Sequence, residues 1–433
     1  MSLPSVDVLL IGGTGYTGKL ILRYLASHPE RESFKLGVTV RSLGKGRDLL
    51  NSLSLSESQA TLYELDVSDV SRIEDIVACA KVVINAVGPF WLYSTPVIKA
   101  CARLGINYVD ITGETFWIYK ILNEVDTLAS RSGAIIIPSC GFDSVPADLS
   151  AFLSVRTLQQ SCAAKGIPWP GATTSETGLI GKLTPSGGSL ATMLLAFSIV
   201  PRDILSAITK SYCLSPVIGL NQDVLVTSGK SAYLRGRYKS LYPLATSDRA
   251  IVLRSWGLFA LQDQGLVSGS GSQTASYGDK FTYEEFFALK SGVAAFFRNA
   301  FLVLAGVLLL APPVRWLISK VSPAGSGPPQ QSLEQGRLKV VNVTRLDGEH
   351  PVDARTEIVF HGDAGYLGTS VIISEAALLL LRTPRDRLSP FARQGGLLTS
   401  ATALGSLLAE RLSQTRFIDI SSTVVSEETL KTR

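Results

Sequence analysis

The sequence predicts an α/β protein in which an N-terminal, doubly wound parallel sheet is followed by a second domain of mixed α+β structure. Strand-like apolar runs alternate with helical patterns through the first third of the chain, and the connections are short. This alternation stops near Leu149, beyond which strand-like and helical segments no longer alternate. A chain of 433 residues is also too long for one ordinary core, so two domains are expected.

Six strands are predicted in the first third, each a strand-like segment of five or six residues that is rich in apolar side chains. They cover residues 6–11, 35–40, 60–65, 82–87, 107–111 and 134–138. Helical spacing of apolar residues predicts helices over 19–26, 70–80, 97–104 and 114–130. Ligands of such sheets bind beyond the carboxyl ends of the strands. The residues that follow each strand are therefore the candidate functional ones.

The second part of the chain is predicted from weaker patterns. Strands are expected over 339–345 and 356–360, and helices over 375–382 and 401–412. Within 178–200, a loop at 184–189 is expected to precede an apolar helical run. The Pro-, Gly- and Ser-rich stretch 323–331 predicts a mobile linker loop.

Glycines cluster where the first strand ends. Gly13, Gly15 and Gly18 match the spacing of a Rossmann-type dinucleotide-binding turn, and Gly12, Gly15 and Gly18 fit equally well. In the first assignment Gly13 forms the tight turn, Gly15 leaves room for a pyrophosphate, and Gly18 lets the helix approach the strand. The pyrophosphate would bind the N–H groups at the start of that helix. The alternative is a plain strand-to-helix turn.

The residues after the second strand indicate which dinucleotide binds. Arg41 and Ser42 follow it directly, with Lys45 and Arg47 close behind, and there is no acidic residue to bind ribose hydroxyls. A guanidinium and a hydroxyl match the extra phosphate of NADP, so NADP(H) is predicted in preference to NAD(H). The alternative is a solvated basic loop.

Further candidates follow the third and fourth strands. Asp66 would bind the adenine amino group, unless Ser68 or Asp69 merely caps the next helix, and Asp69 is the favoured cap. Small residues after the fourth strand would let the cofactor ribose lie against the backbone. The predicted cofactor-binding set is Gly12, Gly13, Thr14, Gly15, Tyr16, Thr17, Gly18, Arg41, Ser42, Lys45, Asp66, Val67, Asn85, Val87, Gly88, Pro89, Cys140, Gly141 and Phe142.

The composition argues against several classes of protein. A net charge of +5 without a long basic run argues against a nucleic-acid partner. Five dispersed cysteines indicate a reducing compartment, and three histidines outside any ligand-like cluster make a metal site unexpected. The first strand starts too early to leave room for a signal peptide, so a cytoplasmic protein is expected.

The stretch 293–318 is strongly apolar and has two interpretations. Its centre, residues 300–311, carries no charge and ends at Pro312. Crossing a bilayer takes about 20 apolar residues, and this run is shorter. It therefore predicts either a buried core helix or a helix on a membrane surface, flanked by Arg298, Arg315 and Lys320.

Several segments together resemble one family. They are residues 13–18, 85–90, 107–114 and, most specific of all, 139–148, followed by 186–189, 362–366 and 395–401. These segments are similar to those of the saccharopine dehydrogenase-like oxidoreductases, which include the trans-acting enoyl reductases of polyketide and lipid pathways. The likeness covers nearly the whole chain.

This resemblance implies an NAD(P)-binding domain over 1–148 and an inserted α+β substrate and dimerisation domain over 149–392. A C-terminal helix would return to the first domain and complete it with residues 393–420. A nicotinamide hydride donor and a homodimer are also implied, as is association of 293–318 with membranes or lipid droplets. The basic residues that hold an amino-acid carboxylate in true saccharopine reductases have no match here. A hydrophobic small-molecule or carrier-bound substrate is therefore expected.

Four residues are candidates for the proton donor that must follow hydride transfer. Tyr93, Asp110, Cys140 and Asp143 follow the fourth, fifth and sixth strands, on the predicted cofactor side. Tyr93 could protonate an enolate as a neutral acid. The two aspartates would equally well hold loops or cap helices, and Cys140 is better explained as a packing residue.

The predicted function is NADPH-dependent reduction of a C=C bond that is polarised by a carbonyl group. Hydride would reach the β-carbon, and an acid or water would protonate the α-carbon. Two other functions are left open. One is a non-redox isomerase or cyclase that retains the cofactor, and the other is a lipid-surface binding protein that attaches through its apolar helix.

Overall fold

The computed structural model describes residues 3–183, 198–223, 227–266, 276–315, 327–349 and 352–425. Its strands are β1 (Val8–Ile11), β2 (Leu36–Val40), β3 (Thr61–Glu64), β4 (Val82–Asn85), β5 (Asn107–Asp110), β6 (Ile135–Ile137), β7 (Ala172–Gly181), β8 (Tyr238–Ser240), β9 (Thr282–Leu289), β10 (Arg337–Leu346), β11 (Asp353–His361), β12 (Gly396–Leu397) and β13 (Ile418–Val425). Its α-helices are Tyr16–Ala26, Leu43–Ser52, Val70–Val77, Phe90–Tyr93, Thr95–Leu104, Thr115–Ser132, Val145–Ala164, Arg202–Ala207, Ala245–Asp263, Gly292–Leu308, Gln330–Gln335, Thr369–Arg382, Pro390–Gln394, Ser400–Ala403 and Gly405–Ser413.

Seven parallel strands form the first sheet, in the order β12-β6-β5-β4-β1-β2-β3. Strands β1, β2 and β4 are buried along their whole length, because helices cover both faces of a doubly wound sheet. The strand order reverses between β1 and β4, which is where dinucleotides bind in such sheets. The predicted fold class is confirmed.

All six strands predicted in the first third are present, with shorter ends. The fourth is the most informative, because it stops at Asn85 and does not continue to Val87. The Asn85 side-chain oxygen accepts a hydrogen bond from the backbone N–H of Val87 at 3.1 Å. This local bond turns the chain out of the sheet.

The second sheet has six strands in the order β13-β11-β10-β7-β9-β8, and only β7 and β9 pair in parallel. The predicted strands 339–345 and 356–360 lie within β10 and β11. Strand β7 was not predicted, because its first half is polar. Its Ser175 and Thr177 side chains are paired inside the sheet, where buried Asn342 of β10 donates to them at 2.8 and 2.9 Å. Residues 178–181, expected in a loop-and-helix segment, belong to β7. The predicted loop 184–189 lies outside the described residues.

The C-terminal part of the chain returns to the first sheet. Strand β12 pairs with β6, so the returning segment adds a strand to the first sheet, where the sequence predicted a helix. Buried Asp148, in helix Val145–Ala164, ties this return in place by accepting hydrogen bonds from Ser255, Ser400 and the backbone of Ala401 at 2.5, 2.8 and 2.8 Å. Residues 418–420 instead belong to β13 of the second sheet. The boundaries predicted for the two domains stay a prediction.

The apolar stretch forms helix Gly292–Leu308, and Ala295 is its single buried residue. The core-helix interpretation is therefore wrong for this helix: Phe296 and Phe301 are 67% and 68% exposed. Arg298 does not flank the exposed face, because its guanidinium donates to Ser240 Oγ and Leu241 O at 2.8 and 2.6 Å. Residues 316–318 and the predicted flanking Lys320 lie outside the described residues.

A different helix passes a length-and-hydropathy test for membrane spans. It is Ala364–Arg382, but 83% of its apolar window is buried inside the protein, as expected for a core helix. The predicted linker also differs in part from expectation where it is described. Residues 327–329 are irregular, as expected, but residues 330 and 331 begin helix Gln330–Gln335, and Gly327 lies directly against the ring of Tyr16.

Candidate active site

Three glycines shape the loop between β1 and helix Tyr16–Ala26. Gly12 has a φ of +89°, so it forms the tight turn that was assigned to Gly13. A Cβ on Gly18 would lie 2.1 Å from the Gly12 carbonyl oxygen, so only glycine lets the helix approach here. A Cβ on Gly15 would meet a single atom, the same oxygen, at 3.4 Å. The register is therefore Gly12, Gly15 and Gly18, with Gly15 on the open side.

Gly13 is required for close packing and not for the turn. Its φ is not in the left-handed region, and a Cβ there would lie 2.4 Å from Val38 Cγ1 of β2. Gly13 thus allows close packing of the loop on the sheet, and the tight-turn role assigned to it was wrong.

This loop fits the diphosphate of a dinucleotide. The helix starts after Gly15 and has no acidic residue in its first turn, so its unpaired N–H groups and positive dipole end meet no opposing anion there. Thr14 and Gly15 are exposed, and Thr17 is half-buried. Tyr16 makes its contacts within the protein: its hydroxyl donates to the Pro328 carbonyl, and its ring packs 4.8 Å from that of Tyr366.

The carboxyl end of β2 presents the predicted cations. Arg41 and Lys45 are exposed, and Ser42 is the N-cap of helix Leu43–Ser52 without making a side-chain cap bond. Arg47 instead pairs with Glu57 at 2.8 Å. The positions of Arg41, Ser42 and Lys45 therefore suit binding of a phosphate, whereas Arg47 already has an anionic partner.

After β3, Asp66 and Asp69 have different roles. The Asp69 carboxylate accepts a hydrogen bond from Ser71 N and caps helix Val70–Val77, as favoured from the sequence. Asp66 accepts from the backbone and hydroxyl of Ser68 at 3.0 and 2.7 Å, and these bonds lower the pKa of the Asp66 carboxyl. Val67 beside it is half-buried. Asp66 is exposed and ionised at neutral pH.

Asn85, at the end of β4, is fully buried. Its amide nitrogen donates to Ser94 Oγ at 2.9 Å and to Tyr108 OH at 3.0 Å. With the bond to Val87 described above, this residue shapes the following loop, and its side chain does not face a ligand. Gly88 of that loop is exposed, and the Gly88–Pro89 peptide bond is cis.

Glu114 closes the family-like segment 107–114 and is not among the predicted site residues. It is fully buried, and its carboxylate accepts from the backbone N–H groups of Phe90 and Trp91 at 2.9 and 2.7 Å. It thereby holds the start of the short helix Phe90–Tyr93, which carries Tyr93. An acidic residue in the loop after the fifth strand, directly following Gly113, was the available signal. Tyr93 itself is 39% exposed.

Asp110 holds two loops together. Its Oδ1 accepts from the backbone of Thr112 and Ser139, both at 2.9 Å, and its Oδ2 accepts from Tyr108 OH at 2.8 Å. Burial raises the pKa of Asp110 to about 7. The structural role considered for this residue is the one that the geometry supports.

The loop after β6 packs mostly inward. Cys140 is fully buried, and burial raises the pKa of its thiol, which therefore stays protonated in the core. Gly141 leaves space for Thr369, whose hydroxyl accepts from the Phe142 backbone at 3.0 Å. Ser139 has a φ of +55°, a left-handed conformation that costs on the order of 1 kcal/mol or more outside glycine. Its strain was not foreseen.

Asp143 differs from its neighbours because it is only half-buried. Its Oδ2 lies 3.4 Å from where a Cβ on Gly113 would be, so it faces the loop after β5. Burial raises the pKa of Asp143 to about 6. Of the four predicted proton donors, Tyr93 and Asp143 are thus partly accessible, whereas Asp110 and Cys140 are enclosed.

Comparison with known proteins identifies relatives. A family model described as the saccharopine dehydrogenase NADP binding domain matches residues 8–137, which span β1 to β6. A trans-acting enoyl reductase from Mycobacterium ulcerans (strain Agy99) is 30% identical over 433 residues, covering 94% of this chain and 96% of that protein. A trans-acting enoyl reductase from Mycobacterium tuberculosis (strain ATCC 25618 / H37Rv) is 28% identical over 429 residues, covering 94% and 95%.

Among solved structures, apo saccharopine dehydrogenase (L-Glu forming) from Saccharomyces cerevisiae aligns with 98% of this chain and 100% of its own, at 15% identity and a TM-score of 0.49. The family match over the first sheet and the full-length relatives confirm the resemblance inferred from the motifs. These sequence matches also agree with the position of the loop that contains Gly12, Gly15 and Gly18, here called the glycine cradle, at the strand-order reversal. The chain therefore belongs to the saccharopine dehydrogenase-like family of NAD(P)H-dependent oxidoreductases, which includes the trans-acting enoyl reductases.

Proposed function

We propose that this protein uses NADPH to reduce a carbon–carbon double bond that is conjugated with a carbonyl group. The observation that carries this proposal is the full-length similarity to a trans-acting enoyl reductase, 30% identical across 94% of the chain. The glycine cradle supports it, because the loop that would hold the cofactor diphosphate is formed as the reaction requires.

The residues that would hold the cofactor come from the first sheet. The N-terminus of helix Tyr16–Ala26 would bind the diphosphate, with Gly15 leaving room for it. Arg41, Ser42 and Lys45 would bind the additional phosphate that distinguishes NADP from NAD. The chemistry that a bound NADPH supplies is a hydride for the carbon β to the carbonyl.

The proposed substrate is a hydrophobic or carrier-bound enoyl compound. The relatives are named trans-acting enoyl reductases. We extend that description to this chain. An enoyl thioester with a long alkyl chain is the simplest test compound of this class.

The direct test follows the absorbance of NADPH in the presence of a panel of enoyl thioesters. We expect consumption of NADPH and a product heavier than the substrate by two hydrogens. An unchanged product mass without NADPH consumption would contradict the proposal and favour the isomerase alternative.

A matched pair of variants tests cofactor choice. Arg41→Ala should raise KM for NADPH about tenfold, the effect of losing one charge-assisted contact of about 1.4 kcal/mol, and leave KM for NADH unchanged. Arg47→Ala is the control, since Arg47 pairs with Glu57. Equal effects of both substitutions on NADPH and NADH would argue against a phosphate site at Arg41.

A second activity, binding to a lipid surface, is favoured by helix Gly292–Leu308. Its exposed apolar side chains include Phe296, Phe297, Phe301, Leu304 and Val307. A contiguous apolar surface of this kind is typical of an interaction site. We propose that the helix lies on a membrane or lipid-droplet surface, where a reductase of hydrophobic compounds meets its substrate.

Flotation with liposomes tests this second proposal. Wild-type protein should float, and the double variant Phe301→Asp/Leu304→Asp should not. Ile218→Asp is the control, because Ile218 is also apolar and is 86% exposed but lies outside the helix. If the wild type fails to float and light scattering shows a dimer that the double variant abolishes, the helix is a homodimer interface and the membrane proposal is wrong.

A further inference from the structure

Three carboxyl groups from both parts of the chain meet beside the loop that follows β6. Asp143 belongs to that loop, Asp248 to the first turn of helix Ala245–Asp263, and Glu285 to β9. The carboxyls of Asp248 and Glu285 interact strongly with each other, and Asp143 interacts electrostatically with both. We call these three residues the acid cluster. Ser144 also contacts it, with its hydroxyl 3.4 Å from Asp248 Oδ1.

A cavity of about 310 Å³ adjoins the acid cluster at Glu285. Glu285 Oε2 and the Tyr242 hydroxyl both belong to its lining residues and have no hydrogen-bond partner among the described residues. These two residues are only 5% and 4% exposed. Buried polar atoms are normally paired with protein or with ordered water. The cavity is large enough for several water molecules, which would satisfy both atoms.

The charges around the acid cluster favour a stored proton. Two buried carboxyls in contact cannot both be ionised without a large electrostatic cost. Burial raises the pKa of Asp248 and raises that of Glu285 to about 8, so the pair retains a proton at neutral pH.

The other titratable groups that face the cluster do not neutralise it. Tyr242 and Tyr283 stay protonated because burial raises the pKa of both, and Asp148 adds a further carboxyl near Tyr283. Arg249, next to Asp248 in sequence, has its main attractive interaction with Asp223. A proton is therefore the charge that balances the acid cluster.

The position of Asp143 places the acid cluster on the reactive side of the first sheet. Arg41 follows β2, on the side of the strand-order reversal where the adenosine half of a dinucleotide binds. The nicotinamide half then falls on the side of β4, β5 and β6, and Asp143 follows β6. Asp143 is half-buried, and its Oδ2 faces Gly113 in the loop after β5, on that same side of the sheet.

We propose that the acid cluster is the proton store of the reduction, in which Asp143 protonates the substrate and the Asp248–Glu285 pair replaces the proton. This inference rests on the proposed function. Hydride addition at the β-carbon moves the π electrons of the C=C bond into an enolate. The Asp248–Glu285 pair passes its proton to the Asp143 carboxylate as the enolate takes a proton from Asp143 and forms a C–H bond at the α-carbon. One proton from solvent then enters through the cavity and restores the pair.

Infrared spectroscopy tests the stored proton without any substrate. The wild type at pH 7 should show the C=O stretching band of buried protonated carboxyls, shifted in D2O, and Glu285→Gln should lower its intensity. Glu357→Gln is the control, since it makes the same change in the same sheet at a carboxylate that is paired with Lys339. A band that Glu285→Gln leaves unchanged would overturn the proposal, even if the enzyme reduces enoyl thioesters.

Kinetics test the use of that proton. Asp143→Asn should lower kcat on an enoyl thioester about 100-fold and increase the solvent deuterium effect, with unchanged NADPH affinity. Glu285→Gln should shift the alkaline limb of the kcat–pH profile to lower pH. If Asp143→Asn and Glu285→Gln both retain the wild-type pH profile, the proton does not come from the acid cluster. Absence of NADPH consumption by the wild type would instead refute the proposed function, and the infrared result would stand separately.

Discussion

At the scale of single residues, the glycines of the first loop differ in what surrounds them. Gly18 is enclosed by the backbone of Gly12, whereas Gly15 opens toward the space where a diphosphate would bind. Gly15 also has an ordinary φ of −69°, which any residue can adopt. Gly18 is therefore needed for the packing of the helix, whereas Gly15 leaves room for the ligand. The sequence motif alone does not distinguish these two roles.

We expect the substitutions Gly15→Ala and Gly18→Ala to have opposite signatures. Gly18→Ala forces a contact of 2.1 Å and should lower the free energy of unfolding by about 1–3 kcal/mol. Gly15→Ala should keep or slightly raise the stability, because it reduces the entropy of the unfolded chain, but should weaken NADPH binding at least tenfold. Thermal unfolding and calorimetric titration measure the two effects. Destabilisation by Gly15→Ala with unchanged binding would contradict this assignment.

At the scale of elements, helix Gly292–Leu308 is attached by its polar residues rather than by its apolar ones. Arg298 bonds to Ser240 and Leu241 and stacks 4.4 Å from the centre of the Phe287 ring. Asn299 accepts from the backbone of Leu241 at 2.7 Å. The usual arrangement is inverted, since the charged side chain faces the protein and the apolar ones face outward.

Arg298→Ala should therefore loosen this helix from the second sheet. Loss of its hydrogen bonds should cost about 2 kcal/mol and speed proteolytic cleavage within residues 292–308. Arg103→Ala is the control: Arg103 forms an exposed ion pair with Glu74, and such pairs contribute about 1 kcal/mol or less. Equal cleavage rates for the wild type and Arg298→Ala would show that other contacts hold the helix.

The sequence predicted the elements whose patterns are local. The strands of the first sheet are continuous apolar runs, and the cap at Asp69 follows from one residue type in one place. Strands β7 and β9 were missed because they carry buried polar residues, such as Ser175 and Glu285. The Ser175 hydroxyl accepts from Thr344, on a distant segment of the chain. For the same reason the structural role of Asp110 could be considered but not decided, since its partner Ser139 lies beyond an intervening helix.

At the scale of the whole molecule, buried carboxyls couple stability to pH. Burial raises the pKa of Asp143 to about 6, of Asp110 to about 7 and of Glu285 to about 8. A carboxyl with a raised pKa binds more protons in the folded state than in the unfolded state. Its contribution to stability is complete at low pH and is lost as the pH rises through the folded-state pKa.

The free energy of unfolding should accordingly fall as the pH rises from about 5 to about 8. Urea denaturation at intervals of one pH unit measures this slope. Glu285→Gln removes the group with the highest of the three pKa values and should flatten the upper part of the curve, between pH 7 and 8. Stability that increases with pH in the wild type, or a slope that the variant leaves unchanged, would contradict the proposed linkage.

Strand β12 has a consequence for how the protein is made. It borders β6, and its Leu397 N–H donates to Asp126 of the neighbouring helix at 2.7 Å, yet nearly 260 residues separate the two strands in sequence. During translation the ribosome releases β6 long before β12. The nascent chain therefore displays an unpaired strand edge, which is prone to aggregation, until synthesis is almost finished. A polypeptide that is truncated before residue 395 should be retained by chaperones.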